Sequence, residues 1–212
     1  MKTLLEGYAR FRKGYWRRHQ KRFSALARDG QSPPALVIAC ADSRVAPEMI
    51  FDVAPGEIFV VRNVSALVPP YAPDTGNHGT SAALEFAVTA LNVRSIVVLG
   101  HSQCGGIRAL MSGPDGDHGD FIESWMAIAK TARQRVCDAP DANGLSFEAL
   151  CHRCEAESIR VSLGNLMSFP WIASRVKAGQ LNLAGLHFNV QNGTLDTIAE
   201  INSTALVENL AL

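Results

Sequence analysis

The feature that most constrains this chain is Ala35-Leu-Val-Ile-Ala-Cys40, six apolar residues in a row entered through the break Gly30-Gln-Ser-Pro-Pro34. A short apolar run bounded by a turn signal reads as a strand buried on both faces, which belongs inside a parallel sheet. Glu57 to Arg62 (EIFVVR), entered through Pro55-Gly56, and Ser95 to Gly100 (SIVVLG) read as two more such strands. Leu181 to Val190 and Thr194 to Ile201 read as strands joined at Gln191-Asn192-Gly193, where the Asn-Gly pair favours a tight hairpin. Helical patterns fill 79–91, 107–111, 121–137 and 147–166, and a Pro-rich loop runs from Val68 to Asp74. Strands alternating with helices predict a single α/β domain over residues 1–212, built around a mostly parallel sheet. In such sheets ligands bind beyond the carboxyl ends of the strands. Cys40 ends the first strand and His101 follows the third, so both fall on that edge.

Twenty basic and twenty acidic side chains cancel, so no global field draws the chain to nucleic acid or anionic lipid. The charge is unevenly placed: residues 2–28 hold nine Lys or Arg and one acid, Glu6. Leu4, Leu5, Tyr8, Phe11, Tyr15, Trp16 and Phe23 recur there mostly at helical spacing. The stretch reads as a docked amphipathic helix with a solvated basic face rather than a cleaved presequence. No apolar run reaches the roughly eighteen residues of a membrane span. Five cysteines, at 40, 104, 137, 151 and 154, with no secretory signal read ahead of them, predict a reducing compartment. The expected location is cytoplasmic, or organellar if a presequence has been removed.

His101-Ser-Gln-Cys104-Gly-Gly falls at a strand-to-helix turn. A His and a Cys three residues apart can face one metal, and Gly105-Gly106 let the backbone pass close. Cys40 adds a second thiolate, and two thiolates with one imidazole form a soft set suited to zinc. Three protein ligands leave a fourth position open, the catalytic arrangement rather than the closed structural one. In Cys40-Ala-Asp42-Ser-Arg44, Asp42 could complete the tetrahedron or pair with Arg44 and leave that position free. An isolated Asp-x-Arg is ordinarily a surface ion pair. Two residues from a candidate ligand, it reads as a carboxylate fixed to accept a hydrogen bond at the metal.

These two segments together resemble the paired signature of the β-class carbonic anhydrases, in their plant-type form. The likeness continues through Gln31, Val61-Arg62-Asn63-Val64, Val68-Pro-Pro-Tyr71, Gly106-Ile-Arg-Ala-Leu110, Asp120-Phe-Ile-Glu-Ser-Trp125 and Val161-Ser-Leu-Gly-Asn-Leu166. The resemblance implies a sheet of four to five strands and a homodimer, or an assembly of dimers, with residues 1–28 as a helical arm on the partner subunit. It implies one zinc ion per chain on Cys40, His101 and Cys104, whose hydroxide attacks carbon dioxide to give bicarbonate. Asp42 and Arg44 are then catalytic. Gln31 donates a hydrogen bond to substrate across the dimer interface, Tyr71 and Phe86 line a small apolar pocket, and Gly105 is counted with them. Two rival readings accompany it: hydrolysis of carbon disulfide or carbonyl sulfide on the same zinc, and a zinc protein without catalysis in which Asp42 closes the tetrahedron.

The chain departs from the family pattern in two places. Phe86 and Ala90 stand where some members carry Tyr and His for proton relay, so turnover is expected to lean on external buffer. Val37, Ala39 and Phe188 replace the Trp, Gly and Tyr of bicarbonate-inhibited members, leaving only Arg62 of that pocket. The Asp42–Arg44 pair is therefore expected to be closed. Cys151-His-Arg-Cys154 and Cys137 read as buried or idle thiols, and His19, His78, His118, His152 and His187 as structural or solvated. No Gly-x-Gly-x-x-Gly follows a strand, so nucleotide binding is not expected.

Overall fold

The computed structural model describes residues 1–113 and 119–202, so His118 lies outside the described residues. Strand β1 (Ala35–Cys40) lies between β2 (Ile58–Asn63) and β3 (Ser95–His101), parallel to both. Strand β4 (Asn182–Phe188) follows parallel to β3, and β5 (Leu195–Ile201) forms the edge antiparallel to β4. The order is β2-β1-β3-β4-β5. A strand with neighbours on both sides and helices above needs apolar side chains throughout, and in β1 all residues after Ala35 are buried. From β1 the chain steps to one neighbour for β2 and to the other for β3. This reversal opens a crevice at the carboxyl ends of β1 and β3.

The helices are α1 (Lys2–Lys13), α2 (Tyr15–Asp29), α3 (Pro47–Ile50), α4 (Gly79–Glu85), α5 (Gly105–Ser112), α6 (Gly119–Met126), α7 (Lys130–Cys137), α8 (Phe147–Met167) and α9 (Pro170–Lys177). Helix α8 is capped by Ser146, whose Oγ accepts the Ala149 N–H at 3.2 Å, and α9 starts with Pro170 in its first turn. Leu36, Ile38, Ile96, Val98 and Leu183 form one apolar face against Ile159, Leu163 and Leu166 of α8. Val37, Ala39 and Leu99 form the other face, with Ile50, Phe51 and Phe188 half-buried against it. Helix α8 reaches the sheet through a notch. A Cβ on Gly100 would stand 2.6 Å from Ile159 Cδ1, and one on Gly185 2.4 Å from Ile159 Cγ2. Two glycines on adjacent strands thus seat a single isoleucine.

Several sequence expectations need correction. The basic N-terminal segment is two helices, broken at Gly14 (φ −106°, ψ −88°), and neither buries a residue in the single chain. Its aromatic residues instead form a seam of their own, with Phe11 against Tyr8, Tyr15 and Phe23. It meets the body near its end, where Arg22 bonds the Pro55 carbonyl and pairs with Glu57, and Leu26 covers Gly56. The β4–β5 connection is a six-residue loop, 189–194, not a tight two-residue turn. Asn189 organises it, accepting the Gln191 N–H on its side chain and the Gly193 N–H on its carbonyl. The helical stretch 79–91 loosens to a π-helix at Phe86–Ala90, and 121–137 is divided by a 3-10 turn at Ala127–Ala129. Among the described residues no helix is long and apolar enough to cross a membrane.

Candidate metal centre

Pairing of β1 with β3 sets Ala39 beside Leu99, so Cys40 and His101 emerge together at the crevice. Beyond His101 the chain turns sharply, with Gln103 in the left-handed region (φ 58°), and enters α5 at Cys104. This turn is stapled to the end of β4: the Ser102 N–H donates to the Phe188 carbonyl at 2.9 Å, and Ser102 Oγ accepts the Val190 N–H at 2.9 Å. Cys40, His101 and Cys104 are each at most 5% exposed, and one ligand atom from each lies within 4.8 Å of the others.

The ring of His101 is fixed by an Nδ1–H bond to its neighbour's carbonyl, Ser102 O, at 2.9 Å. A carbonyl only accepts, so Nδ1 carries the proton and Nε2 presents a bare lone pair. Nε2 is buried and has no hydrogen-bond partner. An unpaired buried acceptor normally destabilises a fold, and a cation relieves it. The two neighbouring thiols shift each other in opposite directions, lowering that of Cys104 and, with burial, raising that of Cys40. A soft divalent ion bound between them would displace the thiol protons. The donor set fits zinc.

Beside these ligands, Asp42 accepts three hydrogen bonds from Arg44: the backbone N–H at 2.9 Å, Nε at 2.9 Å and Nη2 at 2.7 Å. Arg44 Nη2 also donates to the Gln103 carbonyl at 3.0 Å, tying the pair to the His101–Cys104 turn. Hydrogen bonding by Arg44 holds the Asp42 carboxyl well below the usual carboxylate range, so it is an acceptor only. Its Oδ2 stands 4.0 Å from His101 Nε2, too far to bond but adjacent to the ligand set. Arg62 clamps the same segment from β2, donating to the carbonyls of Cys40 at 2.9 Å and Asp42 at 2.6 Å.

The carbonic anhydrase family profile matches residues 35–195. The chain is 40% identical over 199 residues to β carbonic anhydrase 3 of Arabidopsis thaliana, covering 92% of this chain and 76% of that one. The chain belongs to the β-class carbonic anhydrases. It is also 46% identical over 169 residues to the chloroplastic β carbonic anhydrase 5 of that plant, covering 79% of this chain but 55% of that relative's length. Among solved structures, the β-carbonic anhydrase CcaA superposes with a TM-score of 0.86 at 35% identity, over 93% of this chain and 94% of that one. A Coccomyxa β-carbonic anhydrase in complex with acetazolamide superposes at 0.83 with 26% identity, over 98% and 90%.

The remaining residues expected at a β-carbonic anhydrase site do not gather within one chain. Gln31 is exposed between α2 and β1. Tyr71 packs its ring on Phe169 and lines a cavity of about 240 Å³ with His78 and Trp171, whereas Phe86 packs on Phe59. Gly105 has open space where a Cβ would stand; the tight position is Gly106, where a Cβ would meet Ser65 Oγ at 2.2 Å. The thiols set aside on sequence are buried at Cys151 and Cys154 and exposed at Cys137.

Glu155 and Ser65 carried no sequence expectation, and His187, read as structural or solvated, proves to be buried beside Glu155. Glu155 on α8 is 3% exposed and accepts the Cys104 N–H at 3.2 Å. Its other oxygen accepts from His187 Nε2 at 3.1 Å, and His187 is itself buried on β4. With His152 these two place ligand atoms within 4.8 Å, but one Glu155 oxygen already holds the Cys104 turn and the other the His187 ring. The available signal was an acid four residues beyond Cys151, on the apolar face of a helix. Ser65, buried just after β2, touches both sulfurs.

Proposed function

We propose that the chain catalyses the reversible hydration of carbon dioxide to bicarbonate and a proton, with one zinc ion held by Cys40, His101 and Cys104. The observation that carries this reading is the buried, partnerless Nε2 of His101, facing two thiols beside a carboxylate that Arg44 has locked. Zinc, when bound, supplies a Lewis acid that makes water a nucleophile near neutral pH. Arg44 engages both oxygens of Asp42, which keeps the carboxylate from swinging in to close the tetrahedron. It also presents Oδ2 as the acceptor that orients the attacking oxygen. Gln31 of a second copy, with Tyr71 and Phe86, is assigned to the substrate, an uncharged molecule that must be held by shape. Phe86 and Ala90 can carry no proton, so release passes to buffer.

The same reading makes the working unit a homodimer or an assembly of dimers, in keeping with the tetrameric β-carbonic anhydrases of Sordaria macrospora, which superpose with a TM-score of 0.82 at 26% identity. Residues 1–28 form the arm that packs on the partner, since Leu4, Leu5 and Tyr8 are 59–74% exposed in the single chain. Stopped-flow hydration at neutral and alkaline pH, on zinc-assayed protein with a Cys104→Ala control, tests the activity. Fast hydration at both pH values, lost with the metal in the control, is expected. Full zinc occupancy without hydration at either pH would end the reading.

A further inference from the structure

We propose that Ser65 is a positioning residue of the metal centre, whose backbone N–H and hydroxyl each hold one of the two zinc-ligating sulfurs and weaken them as donors. This inference rests on the reading of Cys40, His101 and Cys104 as a zinc site.

The Ser65 N–H donates to Cys40 Sγ at 3.3 Å, and its Oγ lies 3.4 Å from Cys104 Sγ. The hydroxyl has a single proton. Its other neighbour is the thioether of Met126 at 3.8 Å, a weaker acceptor than a thiolate, so the proton goes to Cys104. Ser65 is 6% exposed, so water does not compete for either bond.

The backbone is bent to make this possible. Ser65 (φ 66°, ψ 17°) and Ala66 (φ 55°) both occupy the left-handed region, a conformation unfavourable for residues other than glycine. Three hydrogen bonds hold the bend: Asn63 Nδ2 donates to the Leu67 carbonyl, Asn63 Oδ1 accepts the Leu67 N–H, both at 2.9 Å, and Trp125 Nε1 donates to the Val64 carbonyl at 2.8 Å. Space for the hydroxyl comes from the facing helix. A Cβ at Gly106 would stand 2.2 Å from Ser65 Oγ and 2.9 Å from Val64 Cγ1, whereas one at Gly105 would meet nothing. A strained turn, its three struts and one glycine all converge on the same two sulfurs.

The chemical effect follows from charge. Two thiolates give the metal more electron density than neutral imidazoles would, which blunts its power to acidify water. A hydrogen bond donated to a thiolate draws density back onto sulfur, so the metal stays the stronger Lewis acid. Ser65 thereby offsets part of the cost of a sulfur-rich ligand set.

The test uses the full-length protein with cobalt(II) in place of zinc, read by its sulfur-to-cobalt charge-transfer absorption. Ser65→Ala and Ser65→Gly each remove the hydroxyl, although glycine also relieves the left-handed strain. Both are expected to move the band to lower energy by a similar amount, because a thiolate without its hydrogen bond gives up charge more easily. Gly106→Ala, which displaces an intact Ser65, is expected to move it the same way. Unmoved bands in cobalt-loaded Ser65→Ala and Ser65→Gly would overturn the proposal. A shift with Ser65→Gly but not Ser65→Ala would assign the effect to relieved strain and overturn it equally. Absence of any charge-transfer band in the parent protein would instead refute the metal centre itself.

Discussion

Ile159 in its glycine notch offers a prediction that reverses sign with background. Gly185→Ala places a methyl 3.0 Å from Leu163 Cδ1 and 2.4 Å from Ile159 Cγ2, the second closer than such carbons approach in proteins. Overpacking of this kind costs about 1–3 kcal/mol, reduced by a few tenths because alanine loses less chain entropy on folding than glycine. Ile159→Ala removes three carbons from a side chain only 1% exposed, a change that costs about 2–5 kcal/mol through lost burial and the void it leaves. In the double variant the methyl introduced by Gly185→Ala enters the space that Ile159 vacated. Gly185→Ala is therefore expected to be destabilising by about 1–2 kcal/mol in the parent but neutral or stabilising beside Ile159→Ala, a coupling of roughly 1–3 kcal/mol. Urea unfolding of zinc-loaded protein at one fixed concentration measures all four corners of the cycle. Equal costs of Gly185→Ala in both backgrounds, within about 0.5 kcal/mol, would refute the notch as the reason for the two glycines.

Other expectations follow from the same contacts. Glu155→Ala leaves the Cys104 N–H and the His187 ring without their buried acceptor, at about 1–3 kcal/mol for each orphaned group. The urea midpoint should fall and zinc should pass faster to a chelator, and parental values for both would show Glu155 to be dispensable. Asp42→Asn should keep its zinc while hydration falls by about 100-fold or more, since the amide is a poorer acceptor for the nucleophile's proton; parental hydration at full occupancy would remove Asp42 from catalysis. Burial pushes the Cys154 thiol from 9.0 up to about 12. The unfolded chain ionises first, so this group's contribution falls as pH rises through that window, by at most about 1.4 kcal/mol per unit. Parent and Cys154→Ala should converge in stability toward alkaline pH, and a constant difference would count against the buried neutral thiol.

Cys40 and His101 were legible as candidate ligands because each ends a strand: Cys40 closes one apolar run and His101 another, so strand topology alone brings them to one crevice. Asp42 and Arg44 were legible because their bonds span two residues. Ser65 was not, since its contacts reach 25 and 39 residues along the chain and depend on a left-handed backbone no periodicity announces. Glu155 and His187, 32 residues apart on a helix and a strand, meet only when α8 lies on the sheet. The N-terminal pattern reads as helical, yet Gly14 breaks it and its aromatic residues pack on one another without burying any residue fully. Local propensity sets the helices but not what they cover.

Cys40 and His101 leave neighbouring strands, and the closure of the loop between them is accomplished by β1–β3 pairing rather than by an ion. Unlike the loop of a zinc finger, whose candidate ligands sit on short local segments, this sheet brings Cys40 and His101 together from strands that its apolar faces hold in register. The order of the strands, and not the side chains at their ends, thus decides where two thiols and an imidazole meet.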